Sequence, residues 1–157
     1  NLVRFGIQFG LFLVVYAYYA LFTDVQIHTN WYALMFPVLV LMLAGLALGF
    51  GILFSSMTTK YRDLQLLLSF FVSLWMYATP VAYDMNSMAV FAPGGKYHVL
   101  YMLNPVTPIV NLFRYAYLGL GEIEWLFYGI SWIITLIVLF IGIMLFSKVE
   151  KNFMDTV

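Results

Sequence analysis

Cysteine is absent from the 157 residues and charge is scarce, with seven Lys or Arg and seven Asp or Glu making up 9% of the chain. Without thiols there are no disulfide frameworks, thiolate metal sites or cysteine nucleophiles. The charges cancel to a formal net of zero, so no basic field exists to hold nucleic acid. Apolar residues fill the space instead: 64% of the chain is hydrophobic and 20% aromatic, with a mean hydropathy of +0.96. A soluble domain carries about 45–50% apolar and about 25% charged residues, and so few charges cannot cover its surface. Disorder requires the opposite composition. The solvent for which this chain is built is lipid.

Four stretches lack charge altogether: Phe5 to Thr23, Val25 to Thr59, Leu64 to Tyr83 and Trp125 to Ser147. A hydrocarbon core of about 30 Å needs about 20 apolar residues of helix. Each stretch holds one such helix, predicted at 5–22, 31–54, 64–82 and 125–146. The second begins late because Gln26, His28, Thr29 and Asn30 are polar. Isolated strands would leave backbone groups unsatisfied in lipid, and these stretches do not alternate as barrel strands do. The first stretch has no small-residue cleavage site and three more follow, which excludes a cleaved signal peptide. The chain starts at Asn1 without an initiator methionine, so the expectation is a single transmembrane domain over 1–157, truncated at its N-terminus.

Four spans return both ends to one side. Arg4, Lys60, Arg62, Lys148 and Lys151 then share that side, and the enrichment of Lys and Arg in cytoplasmic segments assigns it to the cytoplasm, with 147–157 as a cytoplasmic tail. Lys96, Arg114, Asp24, Asp84, Glu122 and Glu124 fall outside.

Several patterns lie within the spans. Gly45 and Gly49 form a small-xxx-small pair that admits a second helix, within the subunit or across a dimer. Gly6 and Gly10 suggest close packing of the first span, and Pro37 suggests a bend in the second. Phe5, Phe9, Phe12, Tyr16 and Tyr19 share one helix face, as either a sugar-binding path or a packing surface. Gln65, Ser69, Ser73 and Tyr77 recur every four residues, suited to a translocation path or to interhelical hydrogen bonds.

The segment 84–124 carries its own signals. Asn104-Pro105 reads as an N-cap and first helical residue, with Val106, Ile109, Val110, Phe113 and Tyr117 on one face and Gly119 or Gly121 as the stop. A helix from Pro105 to Leu118 would be about 21 Å long, too short to cross. Lys96–Leu103, after the Pro93-Gly94-Gly95 turn, offers a second short helix. Two such helices predict a re-entrant hairpin in the outer leaflet, with an interfacial loop as the alternative. Catalytic and metal constellations are missing. His28 and His98 lie in outer loops without ligand spacing, and Gly94-Gly95-Lys96 lacks the rest of a phosphate loop. Asp84, Glu122 and Glu124 read as solvated surface charge. No ionisable residue sits at the middle of a span, so energy is expected from elsewhere.

Particular residues also carry a family resemblance. Thr59-Lys60-Tyr61-Arg62-Asp63-Leu64 opens a span ending in Thr79-Pro80-Val81-Ala82-Tyr83. Leu103-Asn104-Pro105-Val106-Thr107-Pro108, Phe113-Arg114-Tyr115-Ala116 and Leu118-Gly119 follow, and Lys148-Val149-Glu150-Lys151-Asn152-Phe153 closes the chain. This order resembles the permease subunits of ABC-type exporters of O-antigen, capsule and teichoic-acid polymers. Pro93-Gly94-Gly95-Lys96 departs from the proline and acidic residue common in that family.

The resemblance implies an all-α integral membrane permease of six spans. Of these the chain keeps the last four, together with the two short outer helices of a gate region over 84–124. Tyr61, Arg62 and Asp63 match the family's cytoplasmic motif, and Asn104, Pro105 and Arg114 its outer gate motif. Phe9, Phe12, Tyr16 and Tyr19, with Gln65, Ser69, Ser73 and Tyr77, are the candidate substrate path. The implied partners are a second copy of the permease, a separate ATPase subunit holding ATP and Mg, membrane lipid and a lipid-linked glycan; no cofactor is expected in this chain. The implied location is the bacterial cytoplasmic (inner) membrane. A drug or lipid exporter of the same superfamily, a membrane-embedded glycosyl- or acyltransferase, and a structural membrane subunit are the alternatives.

Overall fold

The computed structural model describes residues 2–22, 31–81, 83, 87–119 and 121–154. The sequence expectations on Asp24, Gln26, His28, Thr29, Asn30, Ala82 and Asp84 lie outside the described residues. Among the described residues six α-helices follow in order: α1 (Leu2–Phe22), α2 (Phe36–Lys60), α3 (Leu64–Ala78), α4 (His98–Met102), α5 (Val106–Leu118) and α6 (Trp125–Met154). A 3-10 turn, Trp31–Met35, leads into α2. Among the described residues there is no strand.

Helices α2 and α6 make the most extensive contact. Buried positions on α2 fall at Leu39, Met42, Leu46, Gly49 and Ser56, and on α6 at Tyr128, Ser131, Thr135 and Gly142. Steps of three, four and seven form a continuous seam along each helix. Lipid tails are as apolar as leucine, so burial in a bilayer gains little from excluding water and close packing has to hold the pair. Glycine supplies the closeness. A Cβ on Gly142 would stand 2.8 Å from the Gly49 carbonyl oxygen, and one on Gly49 would stand 2.8 Å from Val138 Cγ1. The Gly45/Gly49 pair is thus used inside the chain. Gly6 and Gly10 behave differently: among the described residues a Cβ on either meets nothing within 4 Å.

The same contacts set the helix directions. Gly45 faces Thr135 and Gly49 faces Val138 and Gly142, so residue numbers rise together and α2 and α6 run parallel. Between them the chain must return to the level at which α2 began. Helix α3 supplies part of that return, and the segment 79–124 supplies the rest. Leu39, Met42 and Leu46 of α2, Ile109 and Leu112 of α5 and Tyr128 of α6 form the buried cluster joining the three helices.

Among the described residues three helices are long and apolar enough to cross a membrane: Leu2–Phe22, Trp31–Thr59 and Trp125–Lys151. The expected span at 64–82 is instead a helix of 15 residues, about 22 Å long. Its stop lies in the sequence: the residue before a proline is pushed out of the helical region, and Thr79 before Pro80 adopts φ −104°, ψ 134°. Pro37 falls in the first turn of α2, where its missing N–H is tolerated, so the expected bend becomes a 3-10 to α junction. Helix α6 continues past Phe146 to Met154, so most of the expected tail is helical, with Lys151 in its last turn beside the negative end of the helix dipole.

Candidate functional site

Because α3 stops short, the carbonyls of its last turn and of the chain just beyond need donors. Trp75 O accepts the backbone N–H and the hydroxyl of Thr79, both at 3.1 Å. Tyr77 O accepts the hydroxyls of Tyr83 at 3.0 Å and Tyr101 at 3.3 Å. Ala78 O accepts Asn104 Nδ2 at 3.3 Å. Beyond the helix, Arg114 donates from Nη2 to Val81 O at 2.9 Å and from Nη1 to Tyr83 O at 3.0 Å. The planar guanidinium holds both carbonyls at once, which a lysine ammonium cannot do in the same geometry.

Asn104 is the hub of this junction. Its Oδ1 accepts from Val106 N–H at 3.1 Å, the bond expected of an N-cap when Pro105 is the first helical residue. Pro105 has helical angles, φ −63° and ψ −19°. The same oxygen accepts from Trp75 Nε1 at 3.2 Å, and Nδ2 donates to Thr79 Oγ1 at 3.0 Å. Ser131 Oγ of α6 donates to the Pro105 carbonyl, so α3, α5 and α6 meet at this point. At its other end α5 stops at Gly119, φ 67°, as expected. Burial raises the Tyr83 phenol above its ordinary value and so keeps it a donor.

Helix α5 climbs alongside the first half of α2. Val106 lines an apolar cavity of about 340 Å³ with Leu46, Phe50, Phe71 and Trp75, whereas Phe113 and Tyr117 meet Phe36, and Tyr115 meets Tyr32. The start of α5 therefore sits beside the middle of α2, and its end beside the beginning of α2.

The candidate path residues separate into two groups. Phe9 stacks on Phe36 at 4.4 Å, Phe12 meets Phe113 at 5.5 Å, and Tyr16 meets Tyr117 edge-on at 5.9 Å. Tyr16 also donates its hydroxyl to Tyr117 O at 3.0 Å. These three rings pack α1 against α5 and the start of α2, while Tyr19 stays exposed. Gln65, Ser69, Ser73 and Tyr77 are all exposed, on the side of α3 away from Trp75, which meets Phe50. Ser69 and Ser73 donate to Leu66 O at 2.7 Å and Ser69 O at 2.9 Å.

Tyr61, Arg62 and Asp63 form the tight link from α2 to α3. Tyr61 N–H donates to Met57 O at 2.9 Å and Leu64 N–H to Tyr61 O at 3.1 Å, with all three side chains exposed. One pairing escaped the sequence analysis. His98, read as an interfacial loop residue, is 7% exposed and lies 2.7 Å from Glu124 Oε1 through Nε2, so Glu124 is not simply solvated. Helical periodicity offers no signal for a pair 26 residues apart.

Comparison with known proteins adds to this geometry. The family model of the ABC-2 type transporter matches residues 1–118. A protein of Myxococcus xanthus named O-antigen export system permease protein RfbA is 25% identical over 114 residues, 73% of this chain and 40% of the relative. A Klebsiella pneumoniae protein of the same name is 22% identical over 119 residues, 76% of this chain and 44% of the relative. The match thus spans about two-fifths of the length of these relatives.

Proposed function

Since the chain belongs to the ABC-2 type transporter family, we propose that it is membrane-spanning machinery of an ATP-driven exporter. The cargo in this reading is a lipid-linked polysaccharide of the O-antigen, capsule or teichoic-acid kind, moved across the bacterial cytoplasmic membrane. ATP hydrolysis belongs to a separate nucleotide-binding subunit, and a second copy of the permease completes the path. The names of the two relatives support the cargo class. The charge-free middles of the helices support an external energy source, because ion-driven transport relies on ionisable groups or broken helices at mid-depth.

The observation that carries the reading is the polar stripe of α3. Gln65, Ser69, Ser73 and Tyr77 face away from the chain's own core. Ser69 and Ser73 donate to carbonyls of their own helix, whereas hydrocarbon offers the Gln65 amide and the Tyr77 hydroxyl no partners, so a watery path or a facing subunit is the natural neighbour of this face. In this reading hydroxyls and amide meet the sugars in passing, and Tyr19 and Tyr77 offer aromatic faces to them. Phe9, Phe12 and Tyr16 serve as the bearing of α5 on α1.

The short α3 also suggests how force would travel. Its start follows directly on the cytoplasmic motif Tyr61-Arg62-Asp63, and its end is tied to α5 through Asn104 and Arg114. Displacing the link would move α3 as a rod and carry α4 and α5 with it. Those two helices are read as the re-entrant outer hairpin, in keeping with the position of Val106 beside the middle of α2.

Complementation tests the proposal. In a host lacking the whole gene, lipid-linked glycan should accumulate on the cytoplasmic side and be released by the wild-type gene. Ser69→Trp and Ser73→Trp should fail to release it at normal protein levels. Release by both variants removes the assigned path. Normal glycan export in the deletion host, with loss of lipid or drug efflux instead, transfers the chain to the alternative exporter class.

A further inference from the structure

The ring of His98 lies between two oxygens. Nδ1 is 2.9 Å from the Phe91 carbonyl oxygen, and Nε2 is 2.7 Å from Glu124 Oε1. A carbonyl oxygen only accepts, so Nδ1 must carry a proton to bond it. A carboxylate also only accepts, so Nε2 must carry one as well. A neutral imidazole has a single N–H and satisfies one partner, while its other nitrogen turns a lone pair towards an oxygen. The arrangement calls for the doubly protonated ring paired with the carboxylate.

The contact joins α4 and the turns before it to the residue that precedes α6. His98 opens α4, Phe91 belongs to the preceding turns, and Glu124 directly precedes α6. Of the groups around the ring, α6 contributes the neutral Phe127, edge-on at 6.2 Å, and α5 meets α4 through the neutral pair of Asn111 and Met102. The other nearby charges are Lys96, exposed with its ammonium 5.8 Å from the Tyr97 ring centre, and the exposed Glu122. Neither is bonded to His98 in the pair described, which leaves Glu124 as the direct counter-charge.

We propose that His98 and Glu124 form a proton-dependent latch fastening α4 and the turns before it to the start of α6, with the proton on the ring closing it. Histidine is the side chain whose ordinary titration lies near physiological pH. Loss of the second proton opens one of the two bonds, and α4 then keeps its contacts with α3, α5 and the preceding turns but loses its polar tie to the start of α6. The use of such a latch in export rests on the reading above, whereas the latch itself does not, so its test needs no transport.

The whole permease is placed in lipid nanodiscs on a cysteine-free background, with spin labels at Val99 and Leu126, both exposed. Distances are read across a pH series from about 5 to about 9, the range in which histidine acts as a switch. The wild-type protein should lose its narrow short-distance peak as pH rises. His98→Phe should lack that peak throughout. Glu124→Gln gives the sharper test, since its amide donates to the neutral Nε2 and should preserve the peak at high pH. An identical pH response in wild type and Glu124→Gln overturns the latch, as does a narrow peak retained by His98→Phe.

Discussion

Nδ2 of Asn104 stands 3.0 Å from Thr79 Oγ1, while Oδ1 of the same side chain lies 3.2 Å from Trp75 Nε1. One amide therefore caps α5 at its start and ties it to the last turn of α3. Asn104→Ala removes the N-cap acceptor and strands the Trp75 and Thr79 partners. The expected loss is about 2–4 kcal/mol, from a cap worth about 1 and unmade buried bonds at about 1–3. Asn104→Asp keeps the acceptor for Val106 and Trp75 and should lose less. Thermal unfolding of the two variants in nanodiscs checks the order.

Arg114 binds two carbonyls beyond that helix end. Arg114→Lys keeps the charge and gives up the fork, so the chain at Val81 and Tyr83 should loosen while α5 stays helical. Hydrogen exchange in 79–83 should quicken by about tenfold or more, as expected when a charged hydrogen bond of about 1.5–3 kcal/mol is lost. Unchanged exchange there would mean that the guanidinium does not hold the turn.

Much of this junction was legible as local chemistry but not as contact. Asn104-Pro105 and Gly119 bound α5 where turn and capping rules place them, and Thr79-Pro80 marks the real end of α3. The expectation of a helix to 82 followed the apolar run and gave that proline too little weight. The meeting of Asn104 with Trp75, of Arg114 with Val81 and of His98 with Glu124 has no periodic trace, since each joins elements separated by a loop. The aromatic stripe of α1 was visible as a face, yet which neighbour it meets depends on where α5 lies. Gly6 and Gly49 look alike in sequence, and only the parallel pairing of α2 with α6 separates them.

That distinction is testable. Gly142→Ala places a methyl 2.8 Å from the Gly49 carbonyl oxygen, with backbone rather than a flexible tip in the way. Forcing α2 and α6 apart should cost about 1–3 kcal/mol. Gly6→Ala meets nothing within 4 Å and should be neutral, or stabilising by about 0.5–1 kcal/mol through helix propensity. Unfolding midpoints of the two alanine variants should move in opposite directions or differ plainly in size. A Gly142→Ala protein as stable as wild type would refute the close contact.

The Tyr83 phenol is held above its ordinary value of 10.0 by burial, and it donates to Tyr77 O. A raised folded value means that the unfolded chain releases its proton first as pH rises. The contribution of Tyr83 to stability is therefore complete below pH 10.0 and fades as pH climbs through the folded value. Tyr83→Phe cannot ionise or donate, so it should start lower and show a shallower decline above that pH. Parallel alkaline unfolding curves for the two proteins would show that Tyr83 carries none of the dependence.

The stripe on α3 makes the most direct prediction about the path. The chain has no cysteine, so single cysteines report without interference from its own residues. Gln65, Ser69, Ser73 and Tyr77 lie on one face, and Phe71 and Trp75 on the face packed against α2. A watery path predicts that a membrane-impermeant thiol reagent modifies cysteines at the first four positions in the assembled transporter and spares one at 75. Binding of glycan should protect 69 and 73 first, because they sit midway along the stripe. A facing subunit instead predicts protection at all four positions regardless of glycan. Water and a facing subunit both suit this polar face better than hydrocarbon does, and they differ in whether the reagent gets in.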